Sequence, residues 1–325
     1  MPSPAARRPA RPVQEGELAR LVLEHYGLPQ AQVTLLREGD NHVFRVDGAR
    51  GNTYVLRLHT AGQHSVRALH SELEWLDVLA RTAQLPVPQP VRSVSGAWTV
   101  TLSFPEADSP PQLLCSLLSW LEGTPLPEGQ EFTPQQAELV GQLLAQLHLQ
   151  SDRFQASRGV ERPRYDNAYF LTCAQLLQRN LATTVDARRL EHLIESLTRL
   201  LQKLGPLADL PGGFGLIHAD PHPGNFLQQE RGLALIDFDR GGWGPFLLDL
   251  AHADLALDSA GRAALIAGYT GVRSLPPGQR QLLKALRVLA AVENLSFLSQ
   301  RPHELPFVLE SLPVLESEMV VLSDR

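Results

Sequence analysis

The chain has 325 residues, 43% hydrophobic and 20% charged, a composition typical of a globular protein and a length that suits two lobes better than one compact core. Its net charge of −6 falls wholly after residue 115, since the earlier part carries 11 Arg against 11 Asp and Glu. No basic face of the kind a nucleic-acid binder needs is evident, and the apolar runs are too short and too broken by charge to cross a bilayer. Two cysteines, Cys115 and Cys173, make neither a disulfide framework nor a zinc site, so a reducing cytoplasm is the expected setting. Residues 1–12 carry Arg7, Arg8 and Arg11 with no apolar stretch after them, which reads as a disordered tail rather than a signal peptide.

Residues Glu15 to Tyr26 place Leu18, Leu21 and Val22 at helical spacing and stop at Gly27. From Val33 to His59 the period becomes two, broken by the turn at Gly48 to Asn52, which predicts a hairpin-rich sheet. Ser65 to Thr82 predicts a helix with Leu69, Leu73, Leu76 and Leu79 on one face, ended by Pro86, Pro88 and Pro90. Trp98 to Phe104 predicts a short strand. After a connector at Leu113 to Gly123 the pattern is mainly helical: Gln135–Gln150, Ala168–Leu181, Ala187–Leu204 and Ala260–Leu298. Small strands are expected at Gly215–His218 and Leu233–Asp237. The order of parts predicts an α+β protein, with a β-rich half over 13–118, a connector at 119–124 and a helical half over 125–325.

The chemistry concentrates in Leu216 to Asp249. His218-Ala219-Asp220-Pro221-His222-Pro223-Gly224-Asn225 is followed by Leu235-Ile236-Asp237-Phe238-Asp239 and then Asp249-Leu250-Ala251. Two carboxylates and an amide at strand ends are what phosphoryl transfer requires. One carboxylate orients the attacking hydroxyl and takes its proton, while the other joins the amide oxygen on a Mg²⁺ that bridges the phosphates. His222, between two prolines, reads as a loop-packing residue. Asp239 reads equally as a contact to a second metal or as a solvated loop carboxylate. Asp249 reads as a structural tie beneath the loop.

These motifs resemble the aminoglycoside phosphotransferase family, which includes choline, homoserine and fructosamine kinases and bacterial stress-response kinases. That family writes its catalytic loop H-x-D-x-x-x-x-N and its metal loop I-D-F/W-[D/E], and often adds Gly-Pro and Asp-Leu-Ala, matched here by Gly244-Pro245 and Asp249-Leu250-Ala251. The resemblance implies a bilobal protein-kinase-like fold: a small antiparallel β-sheet N-lobe that binds ATP, a hinge, and a mainly helical C-lobe. It also implies Asp220 as catalytic base, His218 as organiser of the catalytic loop, and Asn225 and Asp237 as Mg²⁺ ligands. The phosphate-holding cation on the third strand would be Arg57, because no lysine precedes Lys203. An arginine fork can grip phosphate oxygens bidentately. Its partner would be Glu72, with Glu74 on another helix face. The loop Glu38-Gly39-Asp40-Asn41-His42 would lie over the phosphates, with Gly39 and Asn41 contributing. The connector Leu118-Ser119-Trp120-Leu121-Glu122-Gly123 would present its backbone, at Trp120 and Glu122, to adenine.

The expected acceptor is a small-molecule hydroxyl on an amino alcohol, an aminoglycoside or a sugar-like compound, with neither nucleic acid nor membrane as partner. Arg164-Tyr165-Asp166-Asn167 and the helices after Asp249 would bind it, with Asp166, Asp254, Asp258 and Glu293 as candidate carboxylates for a cationic acceptor. Two other readings stay open from the sequence: a stress-response type protein Ser/Thr kinase, and a catalytically silent nucleotide-binding protein.

Overall fold

The computed structural model describes residues 15–38, 41–59, 65–103, 112–127, 129–154 and 159–323. The expectations for the tail at 1–12 and for Gly39 lie outside these residues. The chain separates into two compact units: residues through Asp77 together with Pro88–Trp120, and Val78–Val87 together with Leu121 onward.

The first unit begins with α1 (Glu15–His25), whose Ala19, Val22 and Leu23 are buried against an antiparallel sheet. Strands β1 (Gln32–Arg37), β2 (Asn41–Asp47) and β3 (Thr53–His59) form successive hairpins. The long strand β6 (Gln112–Ser119) pairs with β3 along one edge and with β4 (Pro90–Val91) and β5 (Thr99–Ser103) along the other. Phe44, Val46, Leu56, Leu58, Val100 and Leu117 face the core, as the alternation of the strands requires. Helix α2 (Val66–Asp77) buries Leu69, Leu73 and Leu76, the predicted stripe.

A π-helical turn (Val78–Thr82) follows α2 and already belongs to the second unit. The reason is local: the Leu235 N–H donates to Pro86 O at 2.9 Å, tying this stretch to the strand that ends at Leu235. Three strands, β7 (Thr124–Pro125), β9 (Phe226–Gln229) and β10 (Gly232–Leu235), make one small sheet. β8 (Phe214–Ile217) pairs antiparallel with β11 (Gly242–Pro245) to make another. Around them stand α3 (Pro134–Ser151), α4 (Asn167–Leu181), α5 (Ala187–Leu204), α6 (Phe246–Asp254), α7 (Ser259–Thr270), α8 (Gln279–Leu298) and α9 (Leu305–Ser323). Helix α3 opens on a capping box in which Thr133 and Gln136 satisfy each other's backbone N–H.

Helices α3 and α7 meet through two glycines. A Cβ at Gly141 would overlap the Leu265 carbonyl oxygen, and one at Gly268 would overlap the Glu138 carbonyl oxygen. The backbones can therefore approach only because both side chains are missing. Gly123, at φ 153°, is needed for a similar reason: a Cβ there would stand 2.9 Å from Gln228 O and Leu227 Cβ. Among the described residues, no helix is long and apolar enough to cross a membrane.

Candidate active site

The loop that leaves β8 is held by a buried carboxylate from α6. Asp249 Oδ2 accepts the His218 N–H at 2.9 Å and Oδ1 accepts the Ala219 N–H at 2.6 Å. His148 on α3 donates from Nε2 to Oδ2 at 3.0 Å, and the other ring nitrogen, Nδ1, receives the Tyr269 hydroxyl at 2.9 Å. Burial alone would raise the Asp249 carboxyl; the His148 bond and the neighbouring histidines hold it below the ordinary range. Asp249 is thus the tie beneath the loop that the sequence suggested. With two N–H groups pinned, Ala219 is held at φ 62°, a left-handed conformation that costs an alanine of order 1 kcal/mol, and the chain turns so that Asp220 follows.

His218 is fully buried and joins the two motifs. Its Nδ1 accepts the Asp220 N–H at 3.2 Å, so the ring proton is on Nε2, which donates to Ile236 O at 3.0 Å. Ile236 in turn donates its N–H to Asn225 O at 2.9 Å. Both backbone groups of Ile236 are therefore bonded to the loop 218–225, and Asp237 is the next residue, itself at φ 64°. Asn225 Nδ2 donates to Asp220 O at 2.9 Å and to Asp220 Oδ2 at 3.3 Å. Asn225 is bonded to Asp220, and Asp237, 17 positions after Asp220 and 12 after Asn225, directly follows Ile236, whose N–H and carbonyl are both bonded to residues of this loop.

Two side chains beside Asp220, Arg240 and His222, were not anticipated there. Arg240 donates from one guanidinium nitrogen to Asp220 Oδ1 at 3.3 Å and from the other to Glu293 of α8, which also accepts the Tyr169 hydroxyl at 2.8 Å. His222 has Nδ1 fixed as acceptor of the Gly224 N–H at 3.1 Å, with Nε2 3.7 Å from Asp220 Oδ2. Burial works to raise the Asp220 carboxyl, yet Arg240, then His222, His218 and His252, keep it lowered. Arg162 holds the loop after Asp237 by donating to the carbonyls of Phe238 at 2.8 Å and Gly241 at 2.6 Å, and to that of Asp239.

In the first unit, Arg57 of β3 and Glu72 of α2 form a buried ion pair with Nη2–Oε1 at 2.6 Å. Arg57 Nε also donates to Ser116 Oγ at 3.3 Å, so the guanidinium is fixed by two elements. Asn41 opens β2, buried opposite His59. Trp120 is half-buried beneath Arg45, whose guanidinium carbon is 4.8 Å from the ring centre, and the Trp120 backbone N–H donates to Thr53 O at 3.2 Å. Glu122 is an exposed residue of the second unit whose carbonyl accepts Gln229 Nε2 at 2.9 Å.

A model of the phosphotransferase enzyme family matches residues 32–292. The chain belongs to that family. A protein of Deinococcus radiodurans is 33% identical over 237 residues, 72% of this chain but only 64% of that protein, so the matched region is less than two thirds of the relative's length. A microcompartment-associated aminopropanol kinase superposes with a TM-score of 0.75 at 23% identity, over 95% of this chain and 96% of that one. An amicoumacin kinase in complex with AMP-PNP and Ca²⁺ superposes at 0.74 with 19% identity, over 94% and 96%. The fold is the protein-kinase-like phosphotransferase fold.

Within this family member, most of the expected acceptor carboxylates have other duties. Asp166 caps α4, accepting the Tyr169 N–H at 3.1 Å, and Asp258 caps α7, accepting the Gly261 N–H at 2.7 Å. Asp254 is paired with Arg262. Of the four, Glu293 alone is buried beside the catalytic loop, and Arg240 compensates its charge. Tyr165 donates its hydroxyl to Arg240 O and its N–H to Trp243 O at 2.7 Å, and Asn167 donates from Nδ2 to Gly205 O at 3.0 Å, so the segment 164–167 anchors the loop 240–243 and the end of α5. Arg240 had no sequence signal beyond its place after Asp239, because its partner lies 53 positions away.

Proposed function

We propose that this phosphotransferase moves the γ-phosphoryl group of ATP, taken as its Mg²⁺ complex, to a hydroxyl of a small molecule, with amino alcohols the first class to test. The observation that carries this is the placement of Asp220: a carboxylate kept ionised by Arg240 and oriented by Asn225 on a loop fixed by Asp249. Such a group accepts the hydrogen bond of an incoming hydroxyl, aligns its oxygen and takes the proton as the phosphoryl group arrives. The acceptor class is supported by the aminopropanol kinase, and the nucleotide by the AMP-PNP bound to the amicoumacin kinase, both of the same fold.

The residues present fit a hard divalent ion. Asn225 spends its amide N–H on Asp220, which leaves its oxygen as the atom for a cation, and Asp237 supplies a carboxylate one residue from the Ile236 bridge. When bound, Mg²⁺ supplies neutralisation of the phosphate charge. Arg57, locked by Glu72, holds the α- and β-phosphates in this scheme, and Asn41, Trp120 and Glu122 contribute backbone and side-chain contacts to the nucleotide.

The test is purified protein with γ-labelled ATP and Mg²⁺ against amino alcohols, aminoglycosides and sugar-like acceptors. We expect label on an amino alcohol. Asp220→Ala should abolish turnover while nucleotide binding persists, and Asp237→Ala should weaken Mg²⁺-dependent nucleotide binding itself. A near-normal rate in the Asp220 variant would remove it as the base, and label on protein alone would make the chain a protein kinase.

A further inference from the structure

The geometry points to His222 as a second residue acting on the transferred phosphoryl group, a donor to its oxygens from Nε2. This rests on the ATP-dependent transfer proposed above. Three observations carry it. First, the ring is locked: Nδ1 accepts the Gly224 N–H at 3.1 Å at the start of the turn Pro223–Asn225, so the proton is on Nε2 and the ring cannot flip without losing that bond. Secondly, Nε2 is 3.7 Å from Asp220 Oδ2, close enough to share its surroundings but too far to spend the donor on it. Thirdly, the side chain is 44% exposed, so Pro221 and Pro223 fix its backbone without packing the imidazole away.

The distances make phosphate the matching ligand. A hydroxyl held by Asp220 would lie about 2.6–3.2 Å from the carboxylate, with phosphorus about 3–3.5 Å beyond it in an attack-ready complex. A donor beside the same carboxylate then falls within reach of the equatorial phosphoryl oxygens, where charge must be offset against the ionised Asp220. Sequence alone pointed the other way, to a ring packed between two prolines.

Two substitutions separate this from a purely structural cap. Asparagine places an oxygen where Nδ1 is and keeps the bond to Gly224, but has no donor at the Nε2 position. Glutamine keeps a donor at about the Nε2 reach but gives up the cap. The probes are AMP-PNP and ADP, each with Mg²⁺, titrated against the full chain, so no acceptor is needed. We expect His222→Asn to weaken AMP-PNP about tenfold or more while leaving ADP affinity and melting temperature near wild type, and His222→Gln to recover most of the AMP-PNP affinity. Unchanged AMP-PNP binding in His222→Asn would overturn the assignment, as would an equal loss for both nucleotides or a glutamine variant no better than asparagine. If the wild-type protein bound neither nucleotide, the ATP-dependent transfer itself would fail, which is a different result from wild-type binding that is indifferent to residue 222.

Discussion

Asp249 shows how one side chain converts a fold into a site. It has no solvent exposure and accepts three hydrogen bonds, two of them from the backbone that sets the direction of Asp220. Asp249→Ala leaves both N–H groups unpaired in the interior, and we expect a loss of about 3–5 kcal/mol in chemical denaturation together with loss of turnover. Arg240 acts on Asp220, the base of the proposed reaction, electrostatically. A base must be ionised, and its lowered pKa keeps Asp220 so as the medium is acidified. Replacing Arg240 by methionine removes the largest charge holding that pKa down, so the acid limb of kcat should move to higher pH, which a pH–rate profile would detect. An unmoved limb would show that Arg240 does not tune the base. The motif spacing pointed to the loop 218–225 and to the stretch at 236–237, and these are joined by backbone and side-chain bonds because each motif is a local run of chain. Glu293 was singled out as a candidate acceptor carboxylate, but Arg240 and its pairing with Glu293 were illegible, because that contact depends on how α8 folds back, which no local pattern encodes.

Among elements, the α3–α7 pair is the most exacting contact. Gly268→Ala pushes a methyl into the Glu138 carbonyl, a backbone atom that cannot rotate away, and we expect a destabilisation of about 3 kcal/mol. Gly16→Ala in α1 is the control: nothing stands within 4 Å of its Cβ, so the better helix propensity of alanine should leave the melting temperature equal or higher. Similar losses in both variants would show that the close approach is not what matters. The amphipathic helices α1 to α5 and the hairpins β1 to β3 could be read from periodicity alone. Helix α6 could not, because Phe246 to Ala253 is buried on every side and carries no polar face to set a phase. Helix α9 was hidden by Pro313, a residue that normally argues against a helix interior.

At the scale of the whole molecule, acid sensitivity follows from buried imidazoles. Burial, in each case the largest influence, lowers the pKa of His148 and of His252 in the folded state. The unfolded chain binds protons at about pH 6.5 where the folded one resists, so stability is full above that value and falls as pH drops below it. Asp249, whose folded pKa is also lowered, adds a further loss below about pH 4. Melting temperature measured from pH 8 down to pH 5 should therefore decline, and a flat profile would contradict this account. The scarcity of lysine has another consequence. The only two amines on side chains are Lys203 and Lys284, neither in the unit that holds Arg57 and Glu72. Acylating nucleotide reagents designed to label a strand lysine would find no nucleophile on β3, and profiling methods built on such tags would pass this protein by. Its guanidinium, unlike an amine, keeps its charge at every alkalinity the fold survives, so any basic limb of activity must originate elsewhere.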